Sequence, residues 1–299
     1  MNIIELENIT KTFGKHVAVD KLSLEVPKGS IYGFIGPNGS GKTTTIRMIM
    51  NILYPDSGDI QLFGKKFLGS RLDGVGYLPE ERGLYKKMKV KELIKFYAEL
   101  KGVVNTGAEA DYWLEKFDLT AWANKKVQTL SKGMSQKVQF IITVINRPKL
   151  IILDEPFSGL DPVNAEIIKS IVLELQSQGS TIIFSTHDMS VAEKMCDFIF
   201  MIYKGKKVLD GTLTSIQEKY GMDTIQVHTE QGNSALQSIS GIDKINDFGQ
   251  VQEIRIKKGV DSQEILSEIM EKTKVLKFEL SAPSLNDIFI RIASPQKED

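Results

Sequence analysis

The sequence contains a single cysteine, Cys196, among its 299 residues, so no internal disulfide can form and a reducing compartment fits. In an amphipathic stretch this thiol reads as a small buried hydrophobe rather than a reactive group. Long apolar runs are missing as well. FIITVI at 140–145 and FIFMIY at 198–203 fall far short of the ~18 residues that would suggest a membrane span, so this chain is not expected to cross a bilayer by itself. The N-terminal MNIIELENITKTFG carries acids inside its first apolar stretch and has no basic start, which argues against a signal peptide. Nor is there a surplus of either charge. Lys+Arg and Asp+Glu stand at 38 each, so the chain offers no basic footprint for nucleic acid or anionic lipid beyond what a local patch would supply.

With 41% hydrophobic residues the chain can bury a large core, and its length suggests one large domain plus a small one. The stretch GFIGPNGSGKTTTI at 33–46 runs from an apolar strand through a tight loop into a helix. Gly36, Gly39 and Gly41 let successive N–H groups turn toward one anion, and the helix N-terminus adds the positive end of its dipole. Lys42 brings a mobile full charge for outer phosphates, and the Thr43 hydroxyl suits a magnesium ion. Asn38, Ser40 and Thr44 complete the candidate phosphate-binding set. The alternative, a merely decorative glycine-rich turn, does not account for a strand before it and a helix after it.

A second candidate group closes the apolar run LIILDEP, where Asp154 and Glu155 end a strand. Ligands of open α/β sheets lie beyond the carboxyl ends of the strands, which would bring both acids to the phosphate loop. Asp154 is then the candidate metal ligand, and Glu155 the residue that orients or deprotonates an attacking water. The competing reading is an exposed acidic turn before Pro156. His187 ends the next apolar strand, TIIFST, on the same edge, where it can reach a γ-phosphate or the water. His16 and His228 read as structural residues.

Along the chain, residues 3–35 read as short antiparallel strands, 85–147 as mainly helical, and KLIILDEP and TIIFSTHD as strands buried in a parallel sheet. DPVNAEIIKSIVLELQSQG between them reads as a helix with Asp161 as cap, Pro162 in its first turn and Gly179 past its end. FIFMIYKGKKVLDG is hairpin-like. From 217 to 299, strand-like TIQVHTE, VQEIRIK and VLKFEL alternate with helical SQEILSEIMEK and SLNDIFIRIA, a small α+β module without a phosphate loop or metal-ligand cluster. LSKGMSQKVQF places Ser131 and Gly133 at another helix start. That is either a second anion site, reaching a nucleotide held by another subunit, or simply a capped helix.

Taken in order, GPNGSGKT, LSKGM, LIILDEP, SGLD and STHD resemble the P-loop, signature, Walker B, D-loop and switch-histidine motifs of the ATP-binding cassette (ABC) ATPases. The resemblance covers about residues 1–216. It implies a P-loop NTPase of ABC type, with an antiparallel β subdomain and a helical subdomain at about 85–148, followed by the small domain at 217–299. It also implies that Phe13 stacks on adenine, that Ser131 and Gly133 touch the γ-phosphate across a head-to-tail homodimer, and that Asp161 couples the two sites. Three positions depart from the family pattern. Lys132 and Met134 replace the usual third and fifth residues of the signature, and Glu80 in GYLPEERGLY stands where the family usually has glutamine. A carboxylate there either adds a metal ligand or belongs to a solvated turn with Glu81 and Arg82. That spelling, with SLNDIFIRI near the end, is similar to ATP-binding subunits of bacterial sodium-extrusion and drug-resistance exporters.

The implied function is an ATPase subunit using ATP and Mg²⁺ to drive a separate multi-span membrane permease docked around Glu80 to Tyr85. The chain would then sit at the inner face of the cell membrane. The rival reading is a soluble ABC ATPase that acts as a switch on ribosomes or DNA. Such relatives commonly carry two cassettes or a long coiled-coil insert, and neither is present here.

Overall fold

Alternation of apolar and polar residues builds the first two strands, β1 (Asn2–Phe13) and β2 (His16–Pro27), which are longer than the short strands expected. They pair antiparallel, with Phe13 facing His16 across the turn. The computed structural model describes residues 1–66, 74–80, 83–221, 223–257 and 259–294, and the chain divides into two units, Met1–Gly211 and Thr212–Asp299.

In the first unit the fully buried β3 (Ile31–Ile35) leads into α1 (Lys42–Ile49). Then β4 (Ser57–Leu62) and the two-residue β5 (Lys65–Lys66) join the hairpin in an antiparallel sheet ordered β2-β1-β4-β5. After β6 (Val75–Leu78) come α2 (Val90–Leu100), α3 (Thr106–Lys116) and α4 (Lys132–Val144), the helical region expected from periodicity. Their inward faces, Leu93, Ile94, Trp113, Leu114, Phe117 and Phe140, are fully buried in one core. Burial of each such side chain is worth about 1.5–3 kcal/mol, which outweighs the modest propensities of this stretch.

The chain returns to the sheet through β7 (Leu150–Asp154), α5 (Pro162–Ser177) and β8 (Thr181–Thr186). Every residue of β7 and β8 is buried, as continuous apolar runs require in a parallel sheet covered on both faces. The α5 helix starts as its sequence promised: Asp161 Oδ1 accepts from Asn164 N at 3.0 Å, Pro162 lies in the first turn, and Gly179 follows the end at φ 98°. A short α6 (Met189–Met195), β9 (Phe198–Tyr203) and β10 (Lys206–Gly211) finish the unit. The second sheet runs β10-β9-β3-β8-β7-β6 and is parallel except for β10. Cys196, at the end of α6, packs against the core, and burial pushes its thiol pKa up, so it is a packing residue. Its Sγ would lie 2.6 Å from a Cβ at position 33, which is why β3 carries a glycine in its middle.

The second unit begins with α7 (Leu213–Tyr220), capped by Thr212, whose Oγ1 accepts from Ser215 N at 3.1 Å. The boundary expected at 216 therefore cuts a helix, and the division falls before its cap. Then follow β11 (Thr224–Thr229), α8 (Asn233–Leu236), β12 (Ile242–Asp247), β13 (Gln252–Ile256), α9 (Ser262–Lys272), β14 (Val275–Ser281) and α10 (Leu285–Ala293). The sheet is antiparallel in the order β12-β13-β11-β14. Ile225, Val227 and Ile254 of its strands bury against Leu236 of α8 and Ile265 and Ile269 of α9. Arg291 of α10 grips Asp223 with its two terminal guanidinium nitrogens, at 3.1 and 2.9 Å.

Candidate nucleotide and catalytic site

Parallel register makes the site. Ile35 is level with Thr186, and Asp154 with Ser185, so β3, β7 and β8 finish on one edge and their following loops converge there. At the end of β3 the chain takes glycine-only turns. Gly36 has φ 150° and a Cβ there would lie 2.2 Å from the Ile202 carbonyl oxygen, while Gly41 has φ 113° and a Cβ would lie 2.6 Å from that of Ala18. Any side chain at either position would push the loop off the sheet. Gly41 is also the N-cap of α1, and no side chain among the described residues accepts from that helix end's first N–H groups.

Lys42 is buried, and its Nζ donates to the carbonyl oxygens of Gly36 (2.7 Å) and Pro37 (3.2 Å). Burial lowers its pKa, while the charges of Glu155, Asp154 and Glu80 act in the opposite direction. The ammonium is thus folded back on the loop, within electrostatic reach of three carboxylates. Ser40 Oγ, at the heart of the loop, is buried without a hydrogen-bond partner among the described residues.

Asp154 is wholly buried. Its Oδ1 accepts from Ser185 Oγ, whereas Oδ2 is buried with no hydrogen-bond partner among the described residues, a condition that costs about 1–3 kcal/mol if nothing else satisfies it. Glu155 follows at φ 51°, in the left-handed region that β-carbon-bearing residues avoid at a cost of about 1–2 kcal/mol. The conformation is held by Glu155 N donating to Ser185 Oγ at 3.0 Å. It turns the side chain so that Oε1 lies 3.0 Å from Nδ1 of His187, whose ring is about half exposed. An acid at the end of β7 is therefore joined to the histidine at the end of β8, a contact that their sequence positions did not announce.

A cleft of about 510 Å³ collects Phe13, His16, Asn38, Gly39, Ser40, Gly41, Lys42, Thr43, Thr44, Glu80 and Glu155. Phe13, in the wall of this cleft, is 49% exposed. His16 was expected to be a structural residue. It is instead exposed and lines the cleft, because the β1–β2 turn sets it opposite Phe13. Only the pairing register exposes that placement, and composition holds no trace of it. Glu80 belongs to the same wall as the phosphate loop, although its turn partners Glu81 and Arg82 lie outside the described residues. No three His, Cys, Asp or Glu residues gather as a metal-binding group among the described residues.

Ser131, Gly133 and Asp161 are not among the residues lining that cleft. Ser131 caps α4, its Oγ accepting from Met134 N at 3.2 Å. Met134 packs against the core, and Lys132 Nζ lies so close to Gly159 that a Cβ there would meet it at 2.9 Å. A Cβ at Gly133 would meet only ordinary contacts, with Leu160 at 3.5 Å and Asn164 at 3.6 Å, so close packing is not the reason for that glycine. A second cleft, of about 650 Å³, is lined by Lys132, Ser135, Gln136, Gln139 and Ser158 from this region together with Glu80, which thus borders both clefts.

The model of the family described as ABC transporter matches residues 19–158. An uncharacterized ABC transporter ATP-binding protein, YhaQ of Bacillus subtilis (strain 168), is 43% identical over 96% of this chain and 97% of its own. This chain belongs to the ABC transporter ATP-binding proteins. The linearmycin resistance ATP-binding protein LnrL of the same organism is 31% identical over 99% of this chain and all of its own. Among solved structures, an ATP-binding subunit of an ABC transporter superposes with a TM-score of 0.68 at 28% identity, covering 73% of this chain and 93% of that one. The C-terminal domain of DrrA1-3-like ATP-binding proteins matches residues 211–293, the second unit. An ABC subunit of this kind is an ATPase whose hydrolysis powers transport, which is the activity the sequence motifs implied.

Proposed function

We propose that two copies of this chain close on ATP and Mg²⁺, hydrolyse the nucleotide and drive a separate membrane permease, most simply an exporter. The observation that carries this reading is the uncapped end of α1, set beside the buried, half-satisfied carboxylate of Asp154. The first supports phosphate binding, the second a cation.

The donor set suits magnesium, which keeps waters and phosphate oxygens and takes only one or two protein carboxylates. Thr43 and Asp154 would hold it, with Glu80 reaching it directly or through water, and it would neutralise charge developing on the phosphates. Phe13 stacks on the adenine, and His16 stands beside it. The N–H groups from Asn38 to Thr44, with Gly36 shaping the turn, hold the phosphates, and Lys42 supplies the charge. Glu155 takes a proton from, or orients, the attacking water. His187, with Nδ1 on Glu155, fixes that carboxylate and leaves its other ring nitrogen for the γ-phosphate. Ser131 and Gly133 from α4 of the other copy complete each site, and Asp161 couples the two.

The relatives' names support the transport role, and the linearmycin resistance relative supports export. No helix among the described residues is long and apolar enough to cross a membrane, which supports a separate permease, the chain lying at the inner face of the membrane through it. Exposed Tyr85, edge-on to Phe96 with ring centroids 6.1 Å apart, suits the docking region around Glu80 to Tyr85.

Glu155→Gln is expected to bind ATP normally, to slow hydrolysis by about 10² or more, and to shift the chain toward dimer when Mg-ATP is added. Light scattering and phosphate release on this variant test both halves. Hydrolysis at the wild-type rate removes Glu155 from the chemistry, and a mass unchanged by bound ATP in a chain that is monomeric without it removes the sandwich.

A further inference from the structure

The sheet of the second unit ends in two edge strands of different character. β12, reading IDKIND, is acidic and polar, and its Asp243 is already tied to Arg255. Paired with itself antiparallel, it would set Lys244 opposite Lys244, Asp243 opposite Asp247, or Lys244 opposite Ile245, according to register. Each arrangement is unfavourable.

β14, reading VLKFELS, has no proline or glycine, and its outer side has no strand partner among the described residues. Leu276 and Leu280 stand 51% and 40% exposed. Lys277 and Glu279 pair along the strand at 2.6 Å, and Lys277 also reaches Gln226 Oε1 on β11 at 3.5 Å. Reflected about Phe278, the strand is complementary to itself. Lys277 falls opposite Glu279, Glu279 opposite Lys277, and Leu276 opposite Leu280. Centring the reflection on Lys277 or Glu279 would instead oppose like charges, so the residue order selects one register. A lone lysine would be the ordinary guard of an edge strand. Here its opposite charge stands two residues away, between two exposed leucines.

We propose that β14 is the contact through which the second units of two copies join, antiparallel about Phe278, so that two four-stranded sheets become one. Backbone N–H and C=O groups on the free edges satisfy each other, two Lys–Glu pairs form across the seam on one face, and the exposed leucines cover each other on the opposite face. The pairing uses no nucleotide, so its failure leaves the ATP sandwich untouched, and the reverse also holds.

Sedimentation equilibrium of the full chain without nucleotide is the test. The expected result is a dimer that Lys277→Glu or Glu279→Lys alone weakens by about tenfold, each creating two like-charge pairs, and that the double reversal restores. The double reversal also restores the Lys277–Glu279 pair within each strand, so thermal melts of the single reversals must match the wild type for the loss to count as one of pairing. Leu276→Cys chains mixed with Leu280→Cys chains are expected to form disulfide-linked dimers that neither forms alone, since facing residues lie within disulfide reach. A nucleotide-free monomer at the highest workable concentration, a double reversal as weak as the singles, or no cross-link on mixing would each overturn the proposal.

Discussion

The N-termini of α1 and α4 face the same physical problem and solve it differently. Among the described residues, α1 starts after Gly41 with no side chain to accept its first N–H groups, and Ser40 beside it keeps a buried, unpartnered hydroxyl. α4 starts after Ser131, whose Oγ already accepts from Met134 N. A helix end that lacks its own cap is left for a ligand, whereas a capped one is stable without it. The α1 end is therefore expected to hold ATP in the isolated chain. The α4 end, outside the cleft, is expected to contribute only when another copy brings a nucleotide to it.

The largest effect should separate these two ends. Lys42→Ala is expected to weaken ATP binding to the isolated chain by about tenfold or more, because a charge among three carboxylates is lost. Ser131→Ala should leave that affinity within about twofold and lower hydrolysis instead. Equilibrium titration with a fluorescent ATP analogue reads both, and equal losses would erase the distinction.

A smaller effect is expected at Glu80, which borders both clefts. Glu80→Gln should raise the Mg²⁺ concentration for half-maximal ATPase activity several-fold and leave metal-free ATP binding unchanged, because only a cation loses a charged ligand. Glu81→Gln should do neither. Superimposable magnesium curves for the wild type and Glu80→Gln would return Glu80 to the surface between the clefts.

The smallest effect concerns the other end of α4. Lys101 Nζ donates to the carbonyl oxygens of Ile142 (2.6 Å) and Thr143 (2.9 Å), and burial brings its pKa down to about 8. Between about 8 and the ordinary value of 10.5, the unfolded chain holds a proton that the folded chain has released, so stability rises with pH across that window. Urea midpoints measured through it should climb for the wild type and climb less for Lys101→Met. Parallel curves would show that the two carbonyls offset the cost of burial.

Much of this site was legible because glycines, acids and caps carry their geometry locally. The strand–loop–helix of the phosphate loop, the acids ending β7 and the Asp161 cap of α5 follow from short stretches read alone. What escaped depends on partners distant in sequence. β4, reading SGDIQL, is a strand because Ile4, Glu5 and Leu6 pair with it, and β12 is one because β13 lies beside it. Neither pattern declares a buried face. His16 reaches the cleft through the register of a hairpin, and the positive φ of Glu155 is held by a serine 30 positions away on β8. The start of α7 is set by a local signal, the Thr212 cap, ahead of the boundary expected at 216.

Mixing two inactive variants tests most directly whether the α1 end of one copy works with the α4 end of another. Lys42→Ala disables the phosphate loop. Gly133→Asp sets a negative charge at the α4 end, where a Cβ meets only ordinary contacts and an acid in the first turn suits the helix, so the fold is spared. In a mixed pair, one site combines both defects and the other has neither. Each variant alone is expected to be nearly inactive, and the mixture should regain hydrolysis approaching a quarter of the wild-type rate per chain, from random pairing with one intact site in half of the dimers. A mixture no more active than its components would contradict a nucleotide shared between two copies.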